Sequence, residues 1–179
     1  MASIVNTYAR AFAEVVLSNR LDEARILAET DQMAALVREN KQLREVWEAP
    51  SIPAPQKREV LDRIVARLGV SVPVRNFIAV LIDRRRTRFL EEIVAQFRNE
   101  LNQRLGRAEA EITTARELAP QERRILEADL AQATGKQILA RYTQDRNILG
   151  GVIARVGSTV YDGSIKTQLE RIRQLIVGA

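Results

Sequence analysis

One discontinuity limits the folds open to this chain more than any other feature. Near Leu105-Gly106 the apolar residues stop recurring every three to four positions and begin to alternate. The punctuation changes at the same place: seven of the eight glycines lie after residue 105, and four of the five prolines lie before it. A period of 3.6 buries one face of a helix, whereas a period of two buries one face of a strand. The 179 residues are therefore read as two domains, 1–105 and 106–179.

The first domain reads as helical throughout. Ile4, Tyr8, Ala11, Phe12 and Val15 form an apolar stripe on an opening helix. A second helix runs from Leu21 to Glu39, and a short third one surrounds Leu43, Val46 and Trp47. The segment APSIPAP then breaks the chain, because proline lacks an N–H and fixes its backbone angle. A fourth helix spans Pro55 to Leu68 and stops at Gly69, a residue suited to a C-terminal cap. Ser71 is placed to cap a fifth, which carries Val74, Phe77, Ile78 and Leu81. The sixth, with Leu90, Ile93, Val94, Phe97, Leu101 and Leu105, has the most regular stripe. The expected architecture is an all-α N-terminal six-helix bundle.

The second domain is expected to be small and α+β, in the order strand, helix, strand, strand, helix. AEAEITTA alternates, placing Ala108, Ala110, Ile112 and Thr114 on one face. Pro120 opens a helix whose buried side is assigned to Ile125, Leu126, Leu130 and Ala133, and Gly135 ends it. Ile138, Ala140 and Tyr142 make the second strand, and Val152, Ala154 and Val156 the third, with Asp145, Arg146 and Asn147 turning between them. Ile165, Leu169, Ile172 and Ile176 follow helical spacing to the end of the chain.

Four glycines between 150 and 163 raise the question of a phosphate loop, and spacing answers it. Such a loop needs two glycines five apart followed by Lys and Ser or Thr. Gly151 and Gly157 are six apart, Ser158 stands where the lysine belongs, and a strand rather than a helix follows Gly150-Gly151. These residues read instead as structural turns. Gly150 and Gly151 bend the chain into a strand, Gly157 turns it, and Asp162-Gly163-Ser164 leads into the last helix.

Residue types narrow the chemistry further. The chain has no histidine and no cysteine, so the usual general base, thiolate zinc sites and cysteine nucleophiles are all missing. Glu91 and Glu92, as sequence neighbours on a helix, point about 100° apart and make a poor catalytic pair. No catalytic, metal or cofactor site is expected. No apolar run reaches the roughly 18 residues of a membrane span, and the opening MASIVNTYARAFAEVV lacks the pattern of a secretory signal. The net charge of +5 suits an acidic protein, an anionic surface or nucleic acid about equally.

Two sets of motifs carry a resemblance. Leu149-Gly150-Gly151, the strand ending at Val156-Gly157, Val160-Tyr161-Asp162-Gly163-Ser164-Ile165 and Leu169 resemble the C-terminal signature of the delta subunit of F-type ATP synthases. The oligomycin-sensitivity-conferring protein is that family's mitochondrial relative. Tyr8-Ala9-Arg10-Ala11, Pro50 with Lys57, Asn76-Phe77, Arg84 to Arg86 and Phe89-Leu90 resemble its helical half, in order. One departure is Arg85-Arg86-Thr87, where the family more often has a polar residue, one arginine and an apolar residue.

The resemblance implies a non-catalytic stator component that links the catalytic head to the peripheral stalk, so that proton-driven rotation is coupled to ATP synthesis. It implies a place on the cytoplasmic face of the bacterial plasma membrane, attached only indirectly through the complex. The helical domain would take up the N-terminal helix of an alpha subunit between its first and fifth helices, on Tyr8, Ala11, Phe12, Val15, Phe77, Val80, Leu81 and Arg84. These side chains serve equally well as bundle core on sequence grounds, and Phe77→Asp is expected to separate the two roles by abolishing binding in a folded domain. The C-terminal domain would meet the end of the b subunit through Val152, Ile165, Leu169 and Ile172, residues that also suit its own core. RRRTR, residues 84 to 88, reads as a solvated helix end or as a partner for carboxylates. The competing function is a helical RNA-binding factor of the antitermination type, which scarce aromatic residues, 4% of the chain, and the lack of a recognition motif argue against.

Overall fold

The computed structural model describes residues 2–148 and 150–163. The chain divides into two compact units, Met1–Leu101 and Asn102–Ala179, so the division falls inside the sixth helix and not at the glycine that follows it. Among the described residues the chain is mostly helical, with a small four-stranded mixed sheet in the second unit.

The helical unit is built from α1 (Ala2–Ser18), α2 (Glu23–Glu39), α3 (Lys41–Glu48), α4 (Ala54–Leu68), α5 (Val72–Asp83) and most of α6 (Leu90–Arg104). Helix ends follow local chemistry. Asp22 caps α2 by accepting the Arg25 N–H at 3.1 Å, and Asn40 caps α3 by accepting that of Leu43 at 3.0 Å. Pro55 sits in the first turn of α4, where a missing N–H costs nothing, and Gly69 ends the helix at φ +69°. Two other turns of this unit adopt a positive φ without glycine, at Arg20 after α1 (+49°) and Arg85 after α5 (+54°). A 3₁₀ turn at Thr87–Phe89 then leads into α6.

The core of this unit is continuous with the sixth stripe, since Leu90, Ile93, Val94, Phe97 and Leu101 are all buried. Leu105, the last member of that stripe, is only half-buried and lies in the turn after α6. α1 differs from expectation. Its buried stripe is Val5, Ala9, Phe12, Ala13 and Val16, which is rotated from the expected one and shares only Phe12 with it. Lys57 is buried too, and its Nζ donates to the Trp47 carbonyl at 2.7 Å, joining α4 to the end of α3. Burial, reinforced by the Arg85 charge, holds its pKa below the usual lysine range.

In the second unit the strands are β1 (Arg107–Thr114), β2 (Gln137–Gln144), β3 (Val152–Val156) and β4 (Thr159–Asp162), in the spatial order β2-β1-β3-β4. β1 and β2 are parallel, with Ala110 opposite Ala140, and α7 (Pro120–Thr134) makes the crossover such a pair requires. β3 runs antiparallel to β1, with Ile112 opposite Ala154. The alternating residues face α7 as expected: Ala110, Ile112 and Ala154 form a buried cluster with Leu130, and Leu126, Ile138, Ala140, Tyr142, Val152 and Val156 pack against it.

Three expectations for this unit are corrected. Ile125 is 57% exposed and Ala133 is exposed as well, because a four-stranded sheet accepts only the narrow ridge of Leu126 and Leu130. Asp162, expected in a turn, instead ends β4, opposite Ile153. β4 itself was absent from the expected order. Gly157, at φ +60°, starts a two-residue turn with Ser158, and that turn rather than any buried face sets the register of this fully exposed edge strand. Gly150 and Gly151 do bend the chain into β3, Gly151 at φ +83°, and Gly163 donates to the Val152 carbonyl at 2.9 Å. Ser164 and the expected last helix lie outside the described residues.

Tyr142 ties β2 to α7. Its hydroxyl donates to Glu127 Oε1 at 2.9 Å, and the Arg123 guanidinium lies 4.9 Å from its ring centroid. Burial first, then Glu127, pushes the phenol from 10.0 up to about 12. Since the folded value is the higher one, the neutral phenol contributes stability below pH 10 that is lost as pH rises through about 12. Alkaline unfolding of this unit between those values is therefore expected to flatten in Tyr142→Phe, as followed by phenolate absorbance and circular dichroism.

Candidate partner-binding groove

The rotation of α1 is what creates a surface. With Val5, Ala9, Ala13 and Val16 turned inward, the adjoining stripe of Tyr8, Ala11 and Val15 faces out, and Phe12 lies between the two. On α5, Val74, Phe77, Ile78, Leu81 and Ile82 are buried, which leaves Val80 46% exposed on the outer flank. Together these flanks line a groove of about 570 Å³. Its floor is the stack of Phe12 on Phe77, with centroids 4.1 Å apart and planes 8° apart. Phe97 supports Phe12 from beneath at 4.8 Å.

Six of the eight residues assigned to the alpha-subunit site meet here: Tyr8, Ala11, Phe12, Val15, Phe77 and Val80. The structure does not bring the other two into the lining. Leu81 is fully buried, because one turn beyond Phe77 the helix surface has rotated toward the core. Arg84 is an exposed residue just past the end of α5, its N–H bonded to the Val80 carbonyl at 3.0 Å. Sequence reading missed Asn19, Leu21, Val72, Pro73 and Asn76, which close the groove where α1 ends and α5 begins. Val72, at 69% exposure, carried a signal: a valine next to a proline in a first turn, off the buried stripe.

In a chain with 28% charged residues, none of the eleven lining side chains carries a charge. From Tyr8 to Val15 the lining covers about 10 Å of α1, the length of roughly two helical turns. Elsewhere on this unit several arginines are engaged: Arg75 with Asp62 at 2.7 Å, Arg58 with Asp83 at 3.3 Å, and Arg88 over the Phe89 ring at 4.5 Å. In the other unit, Val152 is half-buried against the core cluster, and Ile165, Leu169 and Ile172 lie outside the described residues.

The described residues thus form a helical unit with an open uncharged groove and a small mixed α/β unit. The family model for the ATP synthase delta (OSCP) subunit matches residues 4–176. An ATP synthase subunit delta of Koribacter versatilis is 48% identical over 174 residues, covering 97% of each chain. Those of Acidobacterium capsulatum and Syntrophus aciditrophicus are 38% and 34% identical, the former covering 97% of both chains and the latter 98% of this one and 96% of its own. A chain of the Toxoplasma gondii mitochondrial ATP synthase hexamer shares the fold, with a TM-score of 0.63 over 97% of both chains at 17% identity. This chain belongs to the ATP synthase delta (OSCP) family. It is a non-catalytic stator subunit of the F-type ATP synthase complex, and no helix among the described residues is long and apolar enough to cross a membrane.

Proposed function

We propose that the helical unit receives the N-terminal helix of an alpha subunit in the groove between α1 and α5, and that the C-terminal domain, residues 106–179, meets the C-terminal end of the b subunit. The groove carries the first half of this reading. A partner helix presents apolar anchors at i, i+3, i+4 and i+7, and its host must offer apolar side chains that its own core has not consumed. Val15, Val72 and Val80 meet that need, each 44% to 69% exposed along the same trough. Burying such side chains contributes about 1.5–3 kcal/mol each before ordering costs. The second half is supported by the division into two compact units. With one contact per unit, holding the first raises the effective concentration of the second to roughly millimolar. A six-helix head receptor and a stalk-binding tail would then resist the torque of proton-driven rotation from the cytoplasmic face of the membrane, to which the chain is attached only through its complex.

The test is a calorimetric titration of the full chain with a peptide copying the alpha subunit's N-terminus. Binding is expected to change little between about 50 and 500 mM salt, since screening acts on charges and the lining has none. Lack of binding, or a steeply salt-dependent complex with RNA in its place, would favour the antitermination-type alternative.

A further inference from the structure

The α5 wall of the groove starts at a helix end that another part of the fold caps. The first turn of α5 has no acidic residue, and Ser71 at its N-cap makes no side-chain bond to the helix, contrary to expectation. A helix start of this kind leaves N–H groups without partners and a partial positive charge. Here Glu29 of α2, 42 residues away in sequence, supplies the anion. Its Oε2 accepts the Ser71 N–H at 2.8 Å and also the Ser71 hydroxyl, while Oε1 accepts the Arg25 Nε–H at 2.7 Å. Glu29 is only 8% exposed. Burial opposes its charge, but the bonds from Ser71 and Arg25 outweigh that and hold its pKa below the usual range. The next two residues after Ser71 are Val72 and Pro73, which form the lip of the groove.

We propose that Glu29 is a positioning residue for the groove: from α2 it latches Ser71, and so holds Val72 and Pro73 where a partner helix meets them. Deeper in α5, Val74 and Ile78 are anchored by full burial, so the latch governs the first turn and not the helix as a whole. The inference rests on the groove reading above.

The test compares the wild-type chain with Glu29→Ala, Ser71→Ala and Ser71→Thr, using the alpha-subunit peptide in calorimetry and amide hydrogen exchange on the free proteins. Glu29→Ala is expected to weaken the peptide about tenfold, the usual scale for losing hydrogen bonds to a charged group. Exchange is expected to quicken at Ser71 and Val72 but not in α6. Ser71→Ala, which keeps the N–H bond, should fall between, and Ser71→Thr, which keeps the hydroxyl, should restore wild-type affinity. A purely structural role would instead raise exchange throughout the unit and leave the affinity of the folded fraction unchanged; that result overturns the proposal. Should Glu29→Ala fail to fold, unchanged affinity and exchange in Ser71→Ala overturn it just as directly. A wild-type chain that ignores the peptide overturns the groove reading and this role together, whereas wild-type binding with unaltered variants overturns the latch alone.

Discussion

Val80→Asp is expected to lose at least about a hundredfold in affinity for the alpha-subunit peptide while its thermal unfolding stays where it was. Val80 stands on the α5 wall with 46% of its surface open, so the folded unit gives up little by its replacement. Exposed substitutions of this kind usually shift stability by no more than about 0.5 kcal/mol. Binding is different. The valine's own burial contributes about 1.5–3 kcal/mol, and an aspartate in its place must shed water on entering an apolar contact. Among the eleven lining residues no cation is available to pair with it. A combined loss of about 3 kcal/mol or more corresponds to two decades of affinity. Val15→Asp makes the same experiment from the α1 wall. Calorimetry beside a circular-dichroism melt checks both, and unchanged affinity in both folded variants would remove the groove as the docking site.

Phe77→Asp is expected to fail as that experiment, because the helical unit should unfold. Phe77 is only 8% exposed and lies flat on Phe12, which in turn rests on Phe97. Truncating a buried phenylalanine costs about 3–5 kcal/mol, and an unpaired carboxylate left in the same place adds its own desolvation. That sum is comparable to the whole stability of an ordinary domain, about 5–15 kcal/mol. The expected observation is a broad, non-cooperative melt near ambient temperature and loss of helical signal. A Phe77→Asp chain that melts with wild-type cooperativity would mean the stacked pair is dispensable to the core, and Phe77 a free anchor after all. The floor of the groove and the roof of the core are the same two rings. Affinity is therefore best probed at the rim.

Much of this was legible because some signals are local or repeat often enough to leave no choice. Gly69 ends α4 in the left-handed region that glycine favours, and the five leading members of the α6 stripe are all buried, since large apolar residues at strict helical spacing have one low-energy face. Likewise β1 shows its alternation directly, with Ala110 and Ile112 inside and Glu109 and Glu111 outside. Harder positions are those where two neighbouring stripes compete. α1 offers Ile4, Tyr8, Ala11 and Val15 on one track and Val5, Ala9, Ala13 and Val16 on the next, and small alanines gave the truly buried track the weaker look. Ile125 misled for the opposite reason, being large, apolar and left outside by a sheet too narrow to cover it.

Sequence alone determined the two-part division, the helical and strand periods, the lack of His and Cys chemistry, and the likeness to a stator family. All of these are set within a few neighbouring residues or by composition, so no tertiary contact was needed to read them. Only the folded chain decided which flank of α1 stays open, that Leu81 is sealed while Val72 and Pro73 form the lip, and that Glu29 reaches from α2 to hold Ser71. Those outcomes depend on how helices distant in sequence press together, and close packing is a property of shapes meeting in space that no single stretch of chain contains.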